Sequence, residues 1–167
     1  FIGYFARKFR SVHNVLANRV ESFLQLLTCF NHLKLLGDEL LRDLGITSAM
    51  RGVMESLEIV GEQTVPQIAK TKGVSRQHIQ LLVDALGEAE LIGIFTNPQH
   101  KRSSLVRLTE SGAEAFKEIR RKEVVILEEM AAEMDADDLS LTTQTLSSLH
   151  SIVLNQLENG ENNDTSQ

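Results

Sequence analysis

Three side chains near the middle of the chain have the chemistry needed to recognise the edges of DNA bases. Arg76, Gln77 and Gln80 follow Ser75, a residue type that caps helices. In the major groove, arginine pairs with guanine and glutamine with adenine, each through two hydrogen bonds. A helix that begins at Ser75 would place all three on its exposed side, with His78 near the boundary. The pattern therefore predicts that these five residues contact DNA.

A second polar cluster lies further along the chain, between two apolar runs. It consists of His100, Lys101, Arg102 and Ser103. At the tip of a hairpin, such residues can enter a minor groove or lie along phosphates. We expect these four residues to contact DNA, and His100 to be an ordinary loop residue and not a pH switch.

Helix-capping residues on both sides of Gly73 predict that Arg76, Gln77 and Gln80 lie on the second of two helices. Thr64 can cap a short helix, and Pro66 falls in its first turn, where a missing N–H is tolerated. Gly73 permits a tight turn before Ser75 starts the second helix. The predicted buried side of that second helix consists of Val74, Ile79, Leu82, Val83 and Leu86. This is a helix-turn-helix, a motif that lays its second helix in the major groove.

A two-stranded hairpin is predicted directly after the two helices. Residues 91–96 are an apolar run with β-branched and aromatic members, Asn97-Pro98 starts a turn, and residues 105–108 return with alternating character. The basic cluster lies between the two strands.

Amphipathic helices flank this central region on both sides. A basic leader occupies residues 1–20, a long helix covers 20–44, and Thr47 caps a shorter helix that ends near Gly61. Thr109 caps another long helix to about residue 134, residues 135–138 break it, and a last helix precedes a polar tail predicted to be disordered. The outer helices carry more leucines than a small core requires. We therefore expect a two-fold partner to cover them.

The charge is unevenly distributed along the chain. The net charge is −6, yet residues 1–20 contain four basic and no acidic side chains, and residues 61–109 are also net basic. Residues 110–167 contain four basic and thirteen acidic side chains. DNA phosphates interact mainly with the charges nearest to them, so the overall acidity does not exclude DNA binding. The acidity does predict that the affinity for DNA depends strongly on salt.

Composition indicates an ordinary soluble globular protein of 167 residues, with 42% hydrophobic residues and no run long enough to span a bilayer. The apolar residues 1–5 precede the basic ones, the opposite order to a secretory signal peptide. The single cysteine, Cys29, excludes an intrachain disulfide and favours a reducing cytoplasm. Cys29 is expected to be a small buried hydrophobe and not a redox sensor.

The order of these motifs resembles the MarR family of bacterial transcription regulators. The resemblance rests on the helix-turn-helix, Asn97-Pro98, Lys101-Arg102 and the closing segment LVRLTESG that begins at Leu105, and it covers roughly residues 20–157. It implies a mainly α fold: a winged helix-turn-helix with a small β wing and long N- and C-terminal dimerisation helices. The implied regions are 1–46 (leader and dimerisation helix), 47–109 (DNA-binding region), 110–157 (dimerisation helices) and 158–167 (tail).

By the same resemblance, the protein would be a cytoplasmic homodimer that regulates transcription, as a repressor, from a pseudo-palindromic operator in double-stranded DNA. Family members are often released from DNA by small aromatic ligands in a crevice between the dimer helices and the winged domain. Phe30, His32 and Met54 are candidate lining residues for such a ligand.

Three positions depart from the family pattern. His100 stands where the wing commonly has Asp, Ala85 lies near a common arginine, and Glu90 replaces a usual glycine. Glu90 should therefore adopt a backbone conformation that favours glycine. Because these changes remove basicity or pre-organisation, a winged-helix protein-interaction module with weak or no DNA binding is the alternative. In that alternative, Arg76 and Gln80 are ordinary solvated residues.

No pattern in the sequence indicates an enzyme. The five histidines are scattered, and metalloprotease, phosphate-loop and serine-hydrolase motifs are absent from the sequence. We expect neither a metal nor a cofactor.

Overall fold

The computed structural model describes the backbone of residues 2–98 and 103–164, and the side chains of residues 20–98 and 103–157. Six α-helices, a short 3-10 helix and two strands succeed one another along these residues. They are α1 (Ile2–Leu40), a 3-10 helix (Arg42–Leu44), α2 (Ser48–Val60), α3 (Val65–Lys72), α4 (Arg76–Glu88), β1 (Ile92–Phe95), β2 (Leu105–Leu108), α5 (Glu110–Ala132) and α6 (Ala136–Asp164). The chain divides into two compact units, Phe1–Arg120 and Arg121–Gln167.

Helix α1 is longer at its start and shorter at its end than the sequence predicted. The predicted leader and the predicted helix over 20–44 form one continuous helix that ends at Leu40. No proline interrupts this stretch, so nothing stops the helix from propagating. The chain then tightens into the 3-10 helix, and Gly45 follows in the left-handed conformation at φ 66°.

A hydrogen-bonded junction joins α1 to the start of α2. The Ser48 backbone N–H donates to Oδ1 of Asp38 at 2.6 Å, and the Ser48 hydroxyl donates to the Lys34 carbonyl at 3.1 Å. Thr47 caps α2 as predicted, its hydroxyl accepting from the Met50 N–H. The Ser48 backbone bond lowers the pKa of Asp38, and the Ser48 hydroxyl and the charge of Lys34 lower it further. The ionised carboxylate therefore fastens the long helix to the winged domain.

Acid should weaken this junction. Because the pKa of Asp38 is lower in the folded state, its stabilising effect is present above the unfolded pKa of about 3.9 and disappears as pH falls through the folded value. We expect Asp38→Asn to be less stable than the wild type at pH 7 in urea unfolding, and the difference to shrink below about pH 4. Glu88→Gln, which removes an exposed carboxylate from α4, is the matched control. A difference for Asp38→Asn that did not vary with pH would contradict this account.

The core of the first unit lies beneath the helix-turn-helix. Its fully buried side chains come from α2, α3, α4, the wing strands and α5, and from the residue after α1. The largest of them are Leu41, Met54, Ile68, Ile79, Leu86 and Ile119. Burial of these side chains stabilises the unit and fixes the inner faces of α3 and α4, so that their outer faces are presented at fixed positions.

The wing is an antiparallel pair in which Ile92 lies opposite Leu108 and Phe95 opposite Leu105. A further bridge links it to the segment before α3, where the N–H and carbonyl of Gln63 pair with those of Val106 at 3.0 and 2.8 Å. The buried Gln63 amide also donates to the Ser56 carbonyl at 2.9 Å. The hairpin is thus held to α2 by backbone and side-chain bonds.

In the second unit, α6 begins where the sequence predicted a break. The Asp135 carboxylate accepts from the N–H groups of Asp137 and Asp138 and so caps the helix. The α6 backbone continues to Asp164, into the 158–167 segment predicted to be disordered. That segment contains no proline, which allows the helical backbone to continue. Among the described residues, no helix has the length and apolar character to cross a membrane.

Candidate nucleic-acid interface

The turn before α4 has the predicted geometry. Gly73 is left-handed at φ 65°, and the Ser75 hydroxyl accepts from the His78 N–H at 3.1 Å as the helix cap. Thr64 and Gln67 form a reciprocal capping box at the start of α3. Two rigid caps therefore determine where each helix of the motif begins.

Helix α4 buries Ile79, Val83 and Leu86, and Leu82 is partly buried, as predicted. The prediction for Val74 is wrong, because 42% of this residue is exposed. It lies in the turn before the helix and not on the helical face that the spacing assumed.

An open groove of about 460 Å³ lies between the start of α3, the exposed side of α4 and the wing. Its lining residues are Val65, Pro66, Arg76, Gln77, Gln80, Ile94, Ser103 and Ser104. Four of the nine predicted DNA-binding residues, Arg76, Gln77, Gln80 and Ser103, thus meet in one concave surface. Ser75 and His78 are exposed at the start of α4, beside this set.

The remaining predicted contacts, His100, Lys101 and Arg102, lie outside the described residues. The described parts of the hairpin reach the groove, because Ile94 of β1 and Ser103 before β2 line it.

One member of the groove is already hydrogen-bonded within the chain. The Gln80 amide donates to the Asp84 carboxylate at 2.8 Å, one helical turn away. This bond limits the orientations of Gln80 and leaves its carbonyl oxygen available to accept. Asp84 also places a negative charge on the exposed side of α4, and this charge would repel DNA phosphates.

The junction between α4 and β1 contains the strained residue that the sequence predicted. Glu90 has φ 58°, a left-handed conformation that usually requires glycine. The Thr109 hydroxyl donates to the Glu90 carbonyl at 2.8 Å and accepts from the Gly112 N–H at 2.9 Å. The cap of α5 therefore also holds the strained turn and sets the position of the wing.

Relief of this strain should stabilise the protein. We expect Glu90→Gly to raise the free energy of unfolding by about 1 kcal/mol, since glycine adopts this conformation without a Cβ clash. The control is Glu88→Gly, at the last residue of α4, where the backbone is helical and glycine should not stabilise the protein. Urea unfolding of both variants measures the difference. If Glu90→Gly lowers the stability, the Glu90 side chain stabilises the protein by more than the backbone strain destabilises it.

The outer face of the wing carries a stacked pair. The Arg107 guanidinium lies 3.6 Å from the centre of the Phe95 ring, and that ring lies over Gly93. The pair belongs to the face of the hairpin opposite Ile92 and Val106. Stacking holds Arg107 in one orientation at the base of the wing.

An ion cluster fixes α3 against α2. Glu55 pairs with Arg51 at 2.8 Å and with Lys72 at 3.5 Å, and the Arg51 guanidinium lies 5.9 Å from the centre of the Phe116 ring. Burial raises the pKa of Glu55, but Arg51 and Lys72 outweigh it, so that the pKa is lowered overall. The carboxylate stays ionised and links α2 to α3, while Arg51 of the same cluster contacts Phe116 of α5.

The three candidate ligand residues do not share an accessible surface. Phe30 and His32 are exposed on α1, whereas Met54 is fully buried in the core. Met54 is a candidate only through the family resemblance, and its helical spacing fits a core position. Cys29 is exposed, so the prediction of a buried cysteine is wrong for this chain. Within the described residues, no group of three or more His, Cys, Asp or Glu side chains could hold a metal ion.

Two features of the helix-turn-helix and wing region were not identified from the sequence. Leu81 is exposed on the outer side of α4, and its position on the helical wheel would have revealed it. Gln63 anchors the wing through a bridge to Val106, a residue far away along the chain. No local pattern signals such a pairing.

Comparison with known proteins shows what this geometry is similar to. No family model matches the sequence. A segment of 92 residues is 33% identical to the protein Rv2011c of Mycobacterium tuberculosis, and the match covers 54% of this chain and 64% of that protein. The same values hold for the protein Mb2034c of Mycobacterium bovis. The chain thus spans less than two thirds of the curated relatives that it matches.

Solved structures resemble more of the chain. The crystal structure of a MarR family transcription regulator matches with a TM-score of 0.74 and 20% identity, over 86% of this chain and 98% of that one. A mutant of MarR from E. coli, in complex with operator DNA, matches with a TM-score of 0.67 and 26% identity, over 78% and 91%. This chain therefore has the winged-helix fold of the MarR family of transcription regulators.

Proposed function

We propose that this protein is a sequence-specific DNA-binding transcription regulator. The observation that carries the proposal is the groove in which Arg76, Gln77, Gln80 and Ser103 converge between α4 and the wing. Arginine and glutamine at the start of an exposed second helix suit base edges in a major groove. The MarR structure that resembles this chain was solved with operator DNA, which supports the same use of the fold.

The charge distribution supports this proposal. The region from residue 61 to 109 contains six basic and four acidic side chains, while the strongly acidic segment begins after it. The excess of basic residues is small. Binding should therefore depend on contacts at fixed positions, and each phosphate contact in the two half-sites should add to its weakening as salt rises.

The proposal includes a homodimer. Helix α1 exposes Val20, Phe23, Leu24, Leu27, Phe30 and Leu33, and α6 exposes Leu141, Leu146, Ile152, Val153, Leu154 and Leu157. A second copy that covers such apolar faces would bring two α4 helices to one DNA molecule. Two-fold symmetry then requires a pseudo-palindromic site, with half-sites about 34–36 Å apart. Sedimentation analysis tests the dimer, and a monomer at micromolar concentration would refute it.

Repression, and release by a small aromatic ligand, complete the proposed mechanism. A dimer seated over a promoter blocks transcription by occupying it. The support for a ligand is the family resemblance and the exposure of Phe30 and His32; Met54 would become accessible only if the core opened. Regulation requires that the ligand bind the free and DNA-bound forms with different affinity. A ligand that binds without changing DNA affinity would refute this part of the proposal.

A protein-interaction module is the second candidate. The exposed Leu81 and the Asp84 carboxylate on the outer side of α4 favour it, because both are unusual on a surface that meets phosphates. In that case the wing and α4 would bind a protein partner, and neutralising the basic residues would leave that partner bound.

The deciding experiment is selection of binding sites from random-sequence duplex DNA at two salt concentrations, followed by sequencing. Enrichment of an inverted repeat, with affinity that falls steeply with salt, is the expected result. The same selection with Arg76→Ala should enrich the repeat weakly or not at all. If folded wild-type protein enriches no sequence, the protein-interaction alternative replaces DNA recognition.

A further inference from the structure

A leucine lies at the centre of the exposed side of α4, the helix that carries the proposed base contacts. Leu81 is 63% exposed, and the buried side of the helix is already complete with Ile79, Val83 and Leu86. At 100° per residue, Leu81 lies almost opposite these three, in line with Gln77 one turn earlier. It is therefore the apolar centre of the exposed face of α4.

Packing does not account for the position of Leu81. Truncating it would leave no cavity in the core, since most of its surface meets solvent. A single exposed leucine is common on proteins, but this one is flanked by the base-recognising residues Gln77 and Gln80 on the same exposed side. If this face enters a major groove, Leu81 enters with it.

The chemistry of the major groove offers one apolar partner. Thymine presents a C5-methyl group there, whereas the other base edges present hydrogen-bond donors and acceptors. Leu81 follows Gln77 by one turn, a rise of about 6 Å along the helix axis. That distance is comparable to about two base-pair steps at 3.4 Å each. The two side chains can thus contact positions about two base pairs apart in one half-site.

We propose that Leu81 determines specificity by packing against the C5-methyl group of a thymine in each half-site, about two base pairs from the base contacted by Gln77. This inference rests on the proposed function, and it adds a contact that makes no hydrogen bond. The expected consequence is a requirement for thymine at one position of each half-site.

Deoxyuridine substitution tests the contact directly, because uracil lacks only the methyl group. In the selected operator, each thymine is replaced in turn by deoxyuridine and the affinity of the wild-type protein is measured. One position per half-site should lose about fourfold in affinity, the factor expected when one buried methyl group is removed. The other thymines should be replaceable with little effect.

Variants of the protein test the same contact from the protein side. Leu81→Ala should bind more weakly than the wild type and should bind the thymine and uracil operators equally. Leu81→Met, which keeps an apolar side chain, should retain sensitivity to the methyl group. Gln77→Ala should lose affinity but keep the fourfold response. Thermal melting of each variant checks that the fold is intact.

Two results would overturn the inference while leaving DNA recognition in place. One is wild-type binding that no deoxyuridine substitution changes, and the other is an equal response in Leu81→Ala and the wild type. Failure to select any operator would instead refute the proposed function, and the Leu81 contact with it.

Discussion

Gly112→Ala is expected to lower the free energy of unfolding by about 3 kcal/mol, the upper range for inserting a carbon atom into a well-packed site. A Cβ atom at this position would lie 1.8 Å from the carbonyl oxygen of Leu91 and 3.3 Å from Cδ2 of Leu108. The Leu91 carbonyl cannot move away freely, because it accepts from the Thr109 N–H at 3.1 Å. The first turn of α5 and the wing would have to separate.

The matched control for this prediction is Gly87→Ala. Gly87 lies within α4, and a Cβ there would meet no atom within 4 Å, so alanine should stabilise the protein by about 0.5–1 kcal/mol through its helix preference. Urea unfolding of both variants gives the comparison. The added Cβ of Gly112→Ala should displace the wing from α5. This variant should therefore also bind operator DNA more weakly than Gly87→Ala. Stability of Gly112→Ala within about 0.5 kcal/mol of the wild type would contradict the close packing of α5 on the wing.

The helix-turn-helix could be predicted because its signals are local. Thr64, Gly73 and Ser75 each act on backbone groups within a few residues, and all three have the predicted roles in the structure. The wing was predictable for the same reason, from alternation and a turn. The strained backbone of Glu90 was predicted by comparison with the family pattern and is confirmed.

The errors concern interactions that depend on the whole fold. Helical spacing groups apolar residues but does not say which neighbour covers them, so it could not test the family analogy that placed Met54, a core residue, in a ligand crevice. Cys29 could be assigned to a core although it is exposed. Pairing of Gln63 with Val106 depends on a contact between distant segments, which no periodicity reveals. The predicted contacts at the hairpin tip stay predictions.

Arg76→Ala is expected to have the largest effect on DNA binding. Arg76 lines the groove at the first turn of α4, and its guanidinium has no hydrogen bond or ion pair in the described part of the chain, so it is available to a ligand. Loss of a paired contact to guanine should weaken binding by about 1–3 kcal/mol per half-site. The fold should be unaffected, because Arg76 is exposed. Titration of the selected operator at several salt concentrations measures both the affinity and its salt slope.

The way in which Arg76→Ala loses affinity for DNA distinguishes a base contact from a phosphate contact. If Arg76 contacts a base, the variant should tolerate changes at one operator position and keep nearly the same salt slope. If it contacts a phosphate, binding to all sequences should weaken together and the salt slope should fall by about 1. Arg120→Ala is the matched control, since it removes the same charge from an exposed residue of α5, away from the residues that line the groove. Equal losses for the two variants would mean that only total charge matters, and the groove between α4 and the wing would not be the DNA-binding surface.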